Sequence, residues 1–259
     1  MKKILAVMLL LMVAFTAFAQ GAQEVADSQY VADKGNLVVG ITSFEPMDYP
    51  DENGKWIGFD ADMARGFAEY LGVEAEFVEI DWDSKVLELN AQTIDCVWNG
   101  MTLTDEVKAA MGTSNAYCNN AQVVVMKDST AAKYSTIEEM KDLAFVAEAG
   151  SAGEKEVTAL GYGMTPVQTQ AMALMEVAAG TADAAVIDLL MAGAMIGDGT
   201  SYDDMVTTVE LNSEKYGVGF RKGSDLVAKL NSFFKDSYAD GSMIDIATTY
   251  GIHLSILEQ

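Results

Sequence analysis

Cysteine, proline, histidine and basic residues are all scarce in this chain of 259 residues. The one histidine, His253, lies near the C-terminal end, so a catalytic Ser-His or Cys-His pair has a single candidate base. No group of cysteines and histidines has the spacing of a metal site, and no glycine-rich turn has the pattern of a phosphate-binding loop. We therefore predict no catalytic set, no metal and no other cofactor.

The shortage of positive charge excludes one class of partner. The chain has 39 acidic and 16 basic residues, and its formal net charge is −23. Nucleic-acid binding relies on Lys and Arg to displace the counterions of the phosphates, so no nucleic-acid partner is predicted. Half of the residues are hydrophobic, which indicates a folded protein rather than an acidic disordered tail. A solvated acidic surface that favours solubility explains the charge.

The N-terminal segment has the pattern of a secretory signal peptide. Lys2 and Lys3 precede an apolar run over residues 4–18, and Ala17-Phe18-Ala19 matches the small-x-small motif of a cleavage site. A membrane anchor is the weaker alternative, because a span takes about 20 apolar residues. No cysteine near residue 20 could carry a lipid. We expect residues 1–19 to be removed and the protein to be periplasmic or extracellular.

The two cysteines, Cys96 and Cys118, leave two alternatives open. An even number of cysteines in an exported protein permits a disulfide. Cys96, however, lies within an apolar strand-like run, where a buried free thiol is equally compatible with the sequence.

Beyond a polar lead-in over residues 20–35, predicted strands alternate with predicted helices, which indicates an α/β fold with parallel sheets. Asp60 is predicted to cap a helix that Gly72 ends. Only three prolines and no long linker occur, so two lobes would have to be joined by short strands. The predicted strands are 36–41, 74–80, 94–98, 121–127, 144–147, 184–187 and 216–221.

Three stretches, in order, resemble the family 3 solute-binding proteins, the polar amino-acid-binding components of ABC importers. The first is residues 54–64, GKWIGFDADMA. The second is Asp81-Trp82-Asp83, followed at the family's spacing by Ile94-Asp95 and by residues 99–104, NGMTLT. The third is residues 149–154, AGSAGE, with 183–188, DAAVID, after it. Order and spacing agree from residue 37 to the C-terminus.

The resemblance implies a two-lobed α/β fold, that of the type II periplasmic binding proteins. Each lobe would be a mostly parallel sheet flanked by helices, and two hinge strands, 121–127 and 216–221, would join the lobes. Lobe 1 would comprise 36–120 plus 220–259, and lobe 2 would comprise 125–215. A small-molecule ligand would draw the lobes shut, and the closed monomer would dock on the importer's membrane permease.

The family pattern also implies an aromatic pair at the cleft. Phe44 stands where relatives have an aromatic residue that covers the ligand, and Trp82 would face the ligand from the opposite wall. Such a pair can hold a cation or an aliphatic stem between the ring faces. The alternative for each is an ordinary core residue that packs at a strand end.

Two further segments would line the cleft largely with main-chain groups. The resemblance implies a floor made by Asn99, Gly100, Met101 and Thr102, and the alternative is a plain strand-to-helix turn. Ser151, Ala152 and Gly153 begin a helix whose free N–H groups suit a carboxylate.

Two acids are the candidates for binding a positively charged group. In the family, the residue at Asp188 pairs the α-amino group of the ligand. A helix N-cap is the alternative role of Asp188. Glu148 stands where relatives often carry Gln.

The main departure from the family pattern is Val107, which replaces the arginine that grips the α-carboxylate. Lys108 is adjacent, but it lies about 100° around the helix and offers only a point charge. We therefore predict an amino acid or amino-acid-like solute, including a cationic amine, whose carboxylate is weakly held or absent.

Two rival functions remain on the same fold. A periplasmic enzyme, for example of dehydratase type, would use Glu148 or Asp188 in turnover. A ligand-presenting sensor module would dock on a membrane receptor instead of an importer.

Overall fold

The protein is described by a computed structural model over residues 26–259. The predicted signal peptide and the first residues of the lead-in lie outside these described residues. Within residues 26–259, no helix combines the length and the apolar composition that crossing a membrane requires.

Strands and short helices alternate along the described chain, as the sequence predicts. The strands are β1 (Asn36–Ile41), β2 (Tyr49–Pro50), β3 (Trp56–Ile57), β4 (Glu74–Glu79), β5 (Cys96–Val97), β6 (Gly112–Thr113), β7 (Cys118–Asn120), β8 (Gln122–Lys127), β9 (Phe145–Glu148), β10 (Met164–Val167), β11 (Ala184–Asp188), β12 (Met205–Glu210), β13 (Glu214–Tyr216) and β14 (Gly219–Phe220). The α-helices are α1 (Asp27–Lys34), α2 (Phe59–Leu71), α3 (Lys85–Asn90), α4 (Asp105–Ala110), α5 (Asp128–Ala131), α6 (Ala152–Leu160), α7 (Gln170–Ala179), α8 (Leu189–Met195), α9 (Leu226–Ala239) and α10 (Ser242–Thr249). Three short 3₁₀ helices cover Trp82–Ser84, Ile137–Met140 and His253–Ser255.

The first sheet has five strands in the order β4-β1-β5-β14-β6. Strand β1, which lies between β4 and β5, reads NLVVGI and is buried along almost its whole length, as expected of a strand covered by helices on both faces. β1 runs parallel to β4 and to β5, whereas β14 is antiparallel to β5 and β6. The chain reaches β14 from the second sheet. Strand β14 therefore runs opposite to β1, β4 and β5.

The second sheet has the order β10-β9-β11-β8-β12, with parallel pairs around β9 and antiparallel pairs around β8. Its edge strands β10 and β12 were not predicted. β10 contains Pro166, which has no backbone N–H to donate. An edge strand tolerates this residue because the N–H groups on its outer side form no hydrogen bonds to a neighbouring strand. Both edge strands are half-exposed and therefore lack a long apolar run. We call the halves built on the two sheets the first lobe and the second lobe.

The two predicted hinge segments contribute strands to different sheets. β8, within 121–127, belongs to the second sheet, and β14, within 216–221, belongs to the first. The chain passes between the sheets through the antiparallel pair β7 and β13, a few residues earlier in both segments. The apolar character of β8 reflects its burial inside the second sheet.

The lead-in is also more ordered than its sequence indicates. Residues 27–34 form α1, in which only Val31 is buried, so the segment has little hydrophobic periodicity. Contacts distant in sequence hold it: Asp27 pairs with Arg221 at 2.9 Å, and the Ser28 amide donates to Asp225 at 3.0 Å.

Both cysteines are buried free thiols, which decides between the two alternatives. Cys96 lies in β5 of the first sheet and Cys118 in the linking strand β7.

Candidate functional site

A cavity of about 240 Å³ lies between the two lobes. It is bounded by the ends of strands from both sheets, where loops bring side chains from distant parts of the chain together. Every predicted site residue except Gly153 lines it. These residues are Phe44, Trp82, Asn99, Gly100, Met101, Thr102, Glu148, Ser151, Ala152 and Asp188.

Gly153 has a packing role instead. It lies one residue into α6, and a Cβ at this position would stand 2.9 Å from both the Gln122 Oε1 and the Val186 carbonyl oxygen. The absence of a side chain therefore lets α6 approach the second sheet closely.

Side chains and backbone from both lobes meet over the cavity, so the cleft is closed. The Gln168 amide donates to Asp81 at 2.8 Å, and Lys155 forms an ion pair with Glu106. Gly150 packs so closely on Asp83 that a Cβ at Gly150 would lie 2.6 Å from the Asp83 Cα.

The predicted aromatic pair is buried in the cavity wall. Phe44 is 2% exposed and meets Tyr216 edge-on, with ring centroids 6.3 Å apart. Phe44 also packs over Gly100, where a Cβ would lie 2.4 Å from its ring. Trp82, on the opposite side of the cavity, lies under the ammonium group of Lys85, which is 4.6 Å from the centroid of its ring. Each ring therefore belongs to a hydrophobic cluster and lines the cavity at once.

The floor segment is braced by buried acids that the sequence did not assign to the site. Asn99 donates to Asp48 at 2.8 Å and exchanges hydrogen bonds with Thr42, so its amide is occupied by the protein. Asp60 is not the predicted helix cap: it lies inside α2, fully buried, and accepts from the Gly100 N–H at 2.7 Å. Asp60 instead fixes the turn at Gly100, which has φ of 53°.

Asp188 is held by a buried network of amide and hydroxyl groups. Its Oδ1 accepts from Tyr216 and Gln122 at 2.8 Å each and from Asn120, and its Oδ2 accepts from Gln170. Each carboxylate oxygen has about two acceptor positions, and Oδ2 has a single donor among the described residues, so Oδ2 retains capacity for a further donor. The residue occupies the N-cap position of α8 without a capping hydrogen bond, which excludes the predicted alternative role. Burial, and then the neighbouring Glu214, raise the pKa of Asp188.

Glu148, at the end of β9, is the second buried carboxyl group of the cavity. It is 2% exposed, and its Oε1 has no hydrogen-bond partner among the described residues. Burial raises the pKa of Glu148 to about 8; the charge of Asp188 adds to the rise and that of Lys85 opposes it. A positively charged group in the cavity would supply the missing partner.

Lys85, the first residue of α3, is the cavity residue that sequence reasoning missed most clearly. It is 7% exposed, and its ammonium donates to the Trp82 carbonyl at 2.8 Å and to the Gly150 carbonyl at 3.1 Å. Burial lowers the pKa of Lys85 to about 8. One signal was available: Lys85 is four residues before the buried Leu89, on the same face of the helix.

Val107 lies in the cavity lining, as its place in the family pattern implies, and it brings no charge there. Lys108 lines a different surface pocket. Neither arginine within residues 26–259 lines the cavity: Arg65 bonds to Asp62, and Arg221 pairs with Asp27.

The buried carboxyls predict an unusual dependence of stability on pH. Glu148 takes up its proton near pH 8 when folded and near pH 4.5 when unfolded, so the folded state holds the extra proton between these values. Stability should therefore fall as pH rises from 5 to 8. Scanning calorimetry of ligand-free protein should show this, with a contribution of about 2 kcal/mol or more from Glu148.

The matched control is Glu148→Gln, which keeps the shape and removes the titration. Its stability should vary less between pH 5 and pH 8 than that of the unmodified protein. Equal pH dependence in the two proteins would contradict the assignment of a buried, protonated Glu148.

Comparison with known proteins agrees with this geometry. The family model of bacterial extracellular solute-binding proteins, family 3, matches residues 37–253. The arginine-binding extracellular protein ArtP of Bacillus subtilis is 29% identical over 248 residues, which cover 91% of this chain and 94% of that protein.

Two solved structures resemble the fold closely. An ABC uptake transporter substrate-binding protein from Streptococcus pneumoniae with bound histidine superposes with a TM-score of 0.81 at 30% identity, covering 88% of this chain and 97% of that one. An ancestral amino-acid-binding protein, a precursor of cyclohexadienyl dehydratase, gives a TM-score of 0.79 at 28% identity, covering 86% and 98%.

Proposed function

The chain belongs to the bacterial extracellular solute-binding proteins, family 3, and from this premise we propose that it captures an amino acid or amino-acid-like solute for an ABC importer. We propose that the protein acts outside the cytoplasm, as a monomer, and passes its ligand to a membrane permease. Relatives named for binding arginine, cystine and histidine support this class of ligand.

One observation carries the proposal: a closed interlobe cavity has two buried carboxyl groups, Glu148 and Asp188, and Glu148 has an oxygen without a partner in the part of the chain that the structure describes. A buried carboxylate needs a cation or a set of donors to offset its lost hydration. The cationic amine of an amino acid meets that need, with Phe44 and Trp82 beside it. The two acids together favour an amine-bearing ligand over an acidic one.

Calorimetric titration tests the proposed function. The protein is first unfolded and refolded to remove any solute that copurifies, and native mass spectrometry before this step names such a solute. Titration with free amino acids should give saturable binding of a neutral or basic member, and aspartate and glutamate should bind at least about tenfold more weakly because they add a like charge near Glu148.

Failure of every amino acid and amine to bind the refolded protein would contradict the proposed function. Chemical conversion of a bound solute, lost in Glu148→Gln, would instead support the enzymatic alternative. The two results are separated by following the titrated mixture by nuclear magnetic resonance.

A further inference from the structure

The cleft carries a positive charge, that of Lys85, which forms no ion pair with an anion of residues 26–259. The ammonium of Lys85 is buried among cavity residues, and its hydrogen-bond acceptors are two backbone carbonyls, those of Trp82 and Gly150. Two neutral carbonyls do not offset the charge of a buried ammonium, and an ammonium has three protons to donate. In the described part of the chain, Lys85 forms no ion pair.

Glu148 lines the same cavity, takes the opposite charge when it ionises, and has an oxygen without a hydrogen-bond partner among residues 26–259. Lys85 and Glu148 therefore face one small space without forming an ion pair with each other. A zwitterion placed between them would give each side chain a partner of opposite charge, because its ammonium would face Glu148 and its carboxylate would face Lys85. The N-terminus of α6 adds to the attraction for an anion, because it begins just beyond Gly150, the residue that accepts from Lys85.

We infer, on the basis of the proposed function, that Lys85 binds the carboxylate of the amino-acid ligand and sets the preference of the cleft for amino acids over the corresponding amines. Because Val107 stands where the family pattern has arginine, α4 brings no positive charge to the cavity. Lys85 brings a positive charge from α3 instead. A lysine is a point charge without the two parallel N–H groups of a guanidinium. The carboxylate is therefore held by charge rather than by bidentate geometry.

The position of Lys85 also ties anion binding to closure. The residue belongs to the first lobe, and it donates across the cleft to the Gly150 carbonyl of the second lobe. The same ammonium thus contacts the opposite lobe and lines the cavity that the closed lobes form.

Two pairs of probes test the role of Lys85: L-arginine with agmatine, and L-histidine with histamine. Each pair differs by the carboxylate alone. The unmodified protein should bind the amino acid of at least one pair about tenfold or more tightly than its amine. In Lys85→Met, calorimetry should show that preference reduced about tenfold, with amine binding changed by no more than about threefold.

Lys155→Met is the matched control. Lys155 also lines the cavity, but it is paired with Glu106 across the cleft and is more exposed. Its loss should weaken both members of a pair alike and leave the preference unchanged. Lys85→Arg, which retains the charge, should retain most of the preference.

Three results would overturn the role of Lys85: no preference for the amino acid in either pair, a preference that persists in Lys85→Met, or equal weakening of amino acid and amine in that variant. Binding of an amine in any of these cases would still support the proposed function. Absence of all binding by the unmodified protein would contradict both.

Discussion

Replacing Asp188 with alanine is expected to weaken binding of an amine-bearing amino acid by more than tenfold and to destabilise the fold at the same time. The substitution removes the buried acceptor of four donors, those of Asn120, Gln122, Gln170 and Tyr216. Each buried donor left without a partner costs about 1–3 kcal/mol. The loss of affinity has a separate origin, because the ligand's amine can no longer donate a hydrogen bond to Oδ2.

Asp188→Asn is the control that separates the two effects. It keeps the volume and one acceptor oxygen, so urea denaturation should show a smaller loss of stability than in the alanine variant. Calorimetry at a temperature where both variants are folded measures the affinity. A dissociation constant in Asp188→Ala equal to that of the unmodified protein would remove Asp188 from the binding site.

Replacing Gly150 with alanine should produce the second large effect, by keeping the cleft from closing. The added Cβ would stand 2.6 Å from the Asp83 Cα and 2.9 Å from its Cβ, and both are atoms of the opposite lobe that cannot rotate away. Overpacking of this kind costs about 1–3 kcal/mol, which corresponds to roughly fivefold to 150-fold in affinity. Small-angle scattering should show that saturating amino acid no longer reduces the radius of gyration.

Gly161→Ala controls for backbone strain. Gly161 has φ of 73°, close to the 72° of Gly150, and a Cβ there would meet no atom within 4 Å. Both substitutions thus place alanine in the left-handed region, but only Gly150→Ala creates the contact between lobes. Equal loss of affinity in the two variants would mean that strain, and not obstructed closure, is the cause.

Ten of the predicted site residues line the cavity, and the two acids among them end strands, which are local features of the sequence. Glu148 and Asp188 each end an apolar run that forms a strand of the second sheet. Strands that end at one edge of a sheet bring such residues together, and the resemblance to the family singled out these two acids as candidates for the cleft. The two-lobed fold and the solute-binding family, predicted from ordered motifs, are confirmed.

Features that depend on distant partners could not be predicted in the same way. Helix α1 has little hydrophobic periodicity, and it is held by Arg221 and Asp225, almost 200 residues away in sequence. The helix-capping pattern suggested that Asp60 begins a helix, whereas its carboxylate accepts from Gly100, 40 residues later in the chain.

The sequence by itself determined the family and the alternation of strands and helices, and it singled out Glu148 and Asp188 for the cleft, because each follows from local patterns in the chain. Only the tertiary structure decided which charges are available to a ligand. Asp188 is largely occupied by protein donors, Glu148 keeps a free oxygen, and Lys85 is brought to the site from the other lobe. The physical reason is that burial sets whether a side chain is charged, and hydrogen bonding sets how many of its donor or acceptor positions remain for a ligand. Burial and hydrogen bonding both depend on contacts between residues far apart in the sequence.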